Sequence, residues 1–117
     1  MKLSNGHLLI CNNDDPADRI NMSVYLSVDN GKTWNKKLLD TRGTSNPSMV
    51  EYNNIVYLVY DHERLTEREI VFAKFSEEDI LNDKNIQLIS LSKPTCPISP
   101  YYQKWCESAN NFILEDN

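Results

Sequence analysis

The stretch Ser27-Val28-Asp29-Asn30-Gly31-Lys32-Thr33-Trp34 decides how the rest of the chain is read. Gly31 takes positive φ without the Cβ penalty that other residues meet, so it permits a tight reversal. Ser27 and Asp29 offer side-chain oxygens to the amides of the turn, and Trp34 supplies a large apolar plug for packing between neighbouring sheets. The flanking segments, Asn21 to Val28 and Lys36 to Asp40, then become the two strands of a hairpin.

Working outward, the apolar residues come in short runs with β-branched and aromatic members, bounded by Asn, Asp, Gly or Pro, and no long stretch has a 3.6-residue period. This predicts an all-β chain. Further strands are expected at His7 to Asn12, Ser48 to Tyr52, Ile55 to His62, Glu69 to Phe75 and Ile86 to Leu91. Asn53-Asn54, between two apolar runs, makes a second tight hairpin because Asn tolerates left-handed geometry. One short helix is expected at Ser76 to Leu81, where Ser76 caps and Glu77, Glu78 and Asp79 face the positive end of the helix dipole. After Leu91 the prolines Pro94, Pro97 and Pro100 interrupt any ladder. Residues 92–117 therefore read as an irregular tail that docks through Tyr101, Tyr102, Trp105 and Phe112.

The 117 residues hold at most one core. The net charge of −5, with twelve scattered Lys and Arg, argues against a nucleic-acid partner. No run approaches a membrane span, and the opening MKLSNGHLLICNND is not a secretion signal, which leaves the cytoplasm as the expected compartment. The opening reads as the interior of a strand pattern and predicts sequence upstream. Cys11, Cys96 and Cys106 have no metal-ligand spacing and are expected as thiols, with a Cys96 to Cys106 bridge as the alternative in an exported protein. Asn12, Asn13, Asp14, Asp15 and Asp18 share one loop, but their spacing fits no cation-binding loop and they read as turn residues. No metal or other cofactor is expected.

Ser27, Asp29, Gly31 and Trp34 fit the pattern S-x-D-x-G-x-x-W, which resembles the Asp-box, or BNR repeat, of the sialidase (neuraminidase) superfamily. The resemblance covers roughly residues 5 to 82. It implies that residues 1–91 are about two four-stranded antiparallel blades of a six-bladed β-propeller, its C-terminal portion, followed by the tail. The segment Asp18-Arg19-Ile20-Asn21-Met22-Ser23-Val24 is similar to the one that carries, in sialidases, an arginine of the cluster clamping the sugar carboxylate. Arg19 stands at that place, and a guanidinium fork suits paired hydrogen bonds to a carboxylate. The plain alternative for Arg19 is a solvated loop residue.

The chain departs from the family at Asn46, where the resemblance implies the tyrosine nucleophile. An Asn amide does not ionise and is a poor nucleophile, so no catalytic residue is assigned. The expectation is a sialidase-like glycoside hydrolase fragment that is catalytically incomplete alone and at most binds a sialic acid-like or other sugar. Two alternatives stand beside it: part of a working exo-sialidase or related glycosidase, and a non-enzymatic protein-interaction module. Open strand edges predict self-association or pairing with missing N-terminal blades.

Overall fold

The computed structural model describes residues 1–63 and 69–91. The expected tail, with its aromatic residues and the Cys96 to Cys106 alternative, lies outside the described residues. Within them the chain is mostly β and forms two antiparallel sheets. The first holds β1 (Leu8–Asn13), β2 (Met22–Ser27) and β3 (Asn35–Asp40) in that order, and the second β4 (Thr44–Tyr52), β5 (Ile55–His62), β6 (Glu69–Phe75) and β7 (Leu88–Leu91). Each sheet is a meander whose neighbours in sequence are neighbours in space, as short connections favour. Helix α1 (Glu77–Leu81) joins β6 to β7.

The expectation of two four-stranded sheets is corrected for the first, which has three strands among the described residues. On its β1 edge, Lys2 makes an isolated antiparallel bridge to Leu8, and Leu9 N donates to Met1 O at 2.9 Å. Leu3 N also donates to His7 O at 2.8 Å, so this edge carries an isolated bridge and no fourth named strand among the described residues.

Alternation along the strands explains why the sheets face one another. Leu9 of β1 and Met22, Val24 and Leu26 of β2 turn inward, as do Val56, Leu58 and Tyr60 of β5 and Val71, Ala73 and Phe75 of β6. All belong to one apolar cluster, closed by Leu3 and Ile80. At roughly 1.5–3 kcal/mol for each large side chain buried, this shared core is what holds the sheets together.

The turns follow from residues that accept left-handed geometry. Asn53 and Asn54 have φ of 51° and 64°, the signature of a type I′ hairpin, and fix the register that pairs Tyr52 with Ile55. At α1, the Asp79 carboxylate accepts hydrogen bonds from the Ser76 amide at 2.9 Å and the Ser76 hydroxyl at 3.3 Å. The N-terminal segment is tied to both: Glu51 accepts from Ser4 N at 2.7 Å, and Glu77 pairs with His7 Nδ1 at 2.5 Å.

Candidate functional site

Three pieces of chain converge where β1 ends, β2 begins and β4 begins. Asn13, the last residue of β1, extends its Nδ2 toward Ile20 O at 3.1 Å, Thr44 O at 3.1 Å and Thr44 Oγ1 at 3.2 Å. Asp14 N donates to Asn21 O at 2.9 Å, closing the loop 14–21. Inside it, Asp15 Oδ1 accepts from the amides of Ala17 at 2.9 Å and Asp18 at 2.7 Å, a turn of the kind Asp side chains make. These two bonds also hold the Asp15 carboxyl below its usual pKa range. Asp14 pairs with Lys36 at 2.6 Å. The Asp14 and Asp15 carboxylates are thus engaged in shaping the loop, and among the described residues no group of three or more His, Cys, Asp or Glu side chains is placed to hold a metal ion.

Arg19 sits on this loop, and its carbonyl accepts from Thr44 N at 2.8 Å. Its main chain is thereby fixed against the start of β4, two residues before Asn46. The Arg19 side chain is exposed, and its guanidinium has no hydrogen-bond or ion-pair partner among the described residues.

Asn46 lies in the irregular part of β4, where the register with β5 shifts between Ser45 and Ser48. It has a φ of 55°, and Pro47 follows. A bulge re-aims side chains and accommodates a proline that a regular ladder would reject. Here it directs the Asn46 amide to Asp61 Oδ2 of β5 at 2.8 Å. The structure therefore brings Arg19, Asn46 and Asp61 to one end of the two sheets. It supplies a cation, a neutral amide and a carboxylate, while Tyr60, the neighbour of Asp61, is buried on the opposite side of β5 in the core.

The turn Ser27 to Trp34 lies at the other end of β2, away from Arg19. Its hydrogen bonds match the expected mechanics. Ser27 Oγ accepts from Gly31 N at 2.8 Å and donates to Asp29 Oδ1 at 2.9 Å, and Asp29 accepts from Thr33 N at 2.8 Å and Thr33 Oγ1 at 2.5 Å. The Thr33 hydroxyl and amide are the main reason the Asp29 carboxyl is lowered to about 2. Gly31 has a φ of 89°. Trp34 differs from expectation: it remains 39% exposed and is not part of the apolar cluster shared by the two sheets. These residues shape a turn and offer no reactive group.

A second cluster, which the sequence did not reveal, ties β3 to β5 and β6. The buried Asp40 accepts from Arg42 Nε and Nη2, each at 2.9 Å, from Arg42 N at 3.0 Å and from Tyr60 Oη at 2.9 Å. Arg42 Nη1 lies 3.3 Å from His62 Nδ1, and that nitrogen is 3.6 Å from Glu69 Oε2, itself bonded by Ser90 Oγ. Burial raises the Asp40 carboxyl, but the Arg42 and Tyr60 hydrogen bonds outweigh it and leave the group below its ordinary range. Burial, reinforced by Asp40, pushes the Tyr60 phenol far above its ordinary range. A phenol that stays protonated and a carboxylate that stays ionised form a tie between sheets, not an acid–base pair. Burial likewise pushes the Cys11 thiol up to about 12, which leaves it inert.

Comparisons with protein-family models, with curated proteins and with solved structures give no match for this chain. No helix among the described residues is long and apolar enough to cross a membrane.

Proposed function

We propose that this chain is part of a sialidase-like β-propeller whose Arg19 loop binds a carboxylate-bearing sugar, and that the chain alone does not hydrolyse glycosides. The observation that carries the reading is Arg19 itself. Its carbonyl is fastened to Thr44 while its guanidinium stays exposed and unpaired among the described residues, a cation positioned by rigid backbone and free to accept a carboxylate. Support for the blade arrangement comes from the two consecutive meanders sharing one core, with the Ser27 to Trp34 turn closing the β2–β3 hairpin.

The absence of hydrolysis follows from Asn46. Its amide carries no proton to lose at ordinary pH and is already engaged by Asp61, so the position that carries the nucleophile in the family is inert here. Among the described residues the Tyr60 hydroxyl is committed to Asp40 and the Tyr25 hydroxyl to Asp14, so neither stands in for the family's phenol.

Amide chemical-shift mapping by NMR tests the binding. Titrating a sialic acid should perturb residues 14–21 and 44–48, and Arg19→Ala should weaken the interaction about tenfold or more, the equivalent of ~1.4 kcal/mol. The methyl ester of the same sugar, lacking the charge, should bind as poorly to wild type as the acid binds to the variant. Equal binding of acid and ester, or no effect of Arg19→Ala, would sink the proposal. A fluorogenic sialoside incubated with the purified chain should release no product.

A further inference from the structure

The outer face of the second sheet is apolar across all four strands. The pairing places Val50 and Tyr52 of β4 beside Ile55, Tyr57 and Val59 of β5, and then Ile70 and Phe72 of β6 beside Ile89 of β7. Several of these remain largely in solvent: Val50 58%, Tyr52 67%, Val59 38%, Ile70 38% and Ile89 44%. The Tyr57 and Phe72 rings already pack on each other, with centroids 6.2 Å apart. The outer face of the first sheet is different in kind. There Ile10 and Leu38 are 44% and 49% exposed, but they share the face with Tyr25 and Lys36, which both hydrogen-bond Asp14. A sheet that is apolar on one face and mixed on the other can leave the mixed face wet, but one apolar on both faces is built to be covered twice.

From this face we infer that two copies of the chain associate, second sheet against second sheet, about a two-fold axis. Area and charge both point to a second copy. The five most exposed side chains offer apolar surface on the order of 500 Å² per copy, the size of the largest patches that ordinary monomers leave bare. Two such faces reach about 1,000 Å², where stable interfaces begin. The charges are self-complementary. On this same face, Asp61 pairs in register with Ile70 at one end, and Lys74 pairs with Tyr57 toward the other. A two-fold axis lying in the interface and perpendicular to the strands reverses their direction and sets Asp61 of each copy toward Lys74 of the other. An isologous contact needs this kind of self-matching.

The association does not depend on sugar binding, and its failure would leave the Arg19 proposal untouched. Sedimentation equilibrium and light scattering on the full chain test it. Wild type should show a reversible monomer–dimer equilibrium. Val50→Lys and Val59→Lys should each shift dissociation at least tenfold toward monomer, with circular dichroism confirming that both remain folded. Lys74→Glu should weaken the dimer, and the swap Lys74→Glu with Asp61→Lys should restore it. A wild-type monomer at all concentrations would overturn the inference and leave residues 92–117 or an unlike chain as the cover for the face. A dimer that survives both lysine substitutions would also overturn it, placing association at the strand edges instead. Failure of the charge swap to restore what Lys74→Glu loses would rule out the antiparallel two-fold arrangement.

Discussion

Tyr60 and Asp40 meet across the gap between the sheets: the phenol of β5 donates to Asp40 Oδ2 at the end of β3 over 2.9 Å, with the two residues 1% and 5% exposed. The bond joins the end of the first sheet to the central strand pair of the second, next to the connection where the chain passes between them.

Removing only the hydroxyl isolates this tie. Tyr60→Phe keeps the ring and its packing but deletes a hydrogen bond to a charged group, and should cost about 1.5–3 kcal/mol by chemical denaturation. Arg42→Ala should also destabilise, because it strips the two guanidinium bonds, from Nε and Nη2, that compensate a buried carboxylate. Both partners act on the same Asp40, so the double variant should depart from additivity by about 0.5 kcal/mol or more. Strict additivity with a small effect of Tyr60→Phe would show that the contact is incidental.

The same pair sets a pH dependence at both ends. Asp40 titrates below its ordinary value when folded, so its stabilising contribution is complete above the unfolded pKa near 4 and is lost as pH falls through the folded value. Tyr60 titrates above its ordinary value, so its contribution is complete below the unfolded pKa near 10 and declines as pH rises past it. Stability profiles of wild type and Tyr60→Phe should therefore converge in acid, while above about pH 10 wild type should lose stability that the variant keeps. Parallel profiles over the whole range would contradict the assignment.

The hairpin turn gives two substitutions with separable causes. Ser27→Ala leaves the Gly31 amide and Asp29 without a fully buried partner and should cost about 1–3 kcal/mol. Gly31→Ala meets nothing closer than Leu8 Cδ1 at 3.7 Å, so its penalty comes from the backbone alone, about 1 kcal/mol for an L-residue at positive φ. Thermal melts of the two variants check the order. A Gly31→Ala protein that melts far below Ser27→Ala would show that the turn is crowded in a way the structure does not display.

Strand positions were legible because short apolar runs bounded by turn residues have few other readings, and all seven expected strands form. β6 and β5 match residue for residue. β4 starts earlier than the sequence suggested, at Thr44 instead of Ser48, since Pro47 argues against a strand unless a bulge absorbs it. The Ser27, Asp29 and Gly31 roles were readable from local chemistry, whereas the exposure of Trp34 depends on what lies across from it in space. Arg19 and Asn46 were singled out by resemblance; their convergence rests on Asn13 and on a main-chain bond to Thr44, neither of which leaves a pattern in sequence. The Asp40, Arg42 and Tyr60 tie was missed because Tyr60 sits in an alternating strand, where packing accounts for it. The one available signal was a carboxylate ending a strand two residues before an arginine.

The bond between Ser27 Oγ and Gly31 N also bears on how the protein ages. An asparagine followed by glycine cyclises when the glycine nitrogen attacks the asparagine side-chain carbonyl, the first step of spontaneous deamidation. In the folded chain the nitrogen after Asn30 is held by Ser27, and the one after Asn5 by Leu3 O at 2.9 Å. Both sequences that invite this damage are thus shielded by the turns they build, so chemical decay at either position becomes a clock for local unfolding.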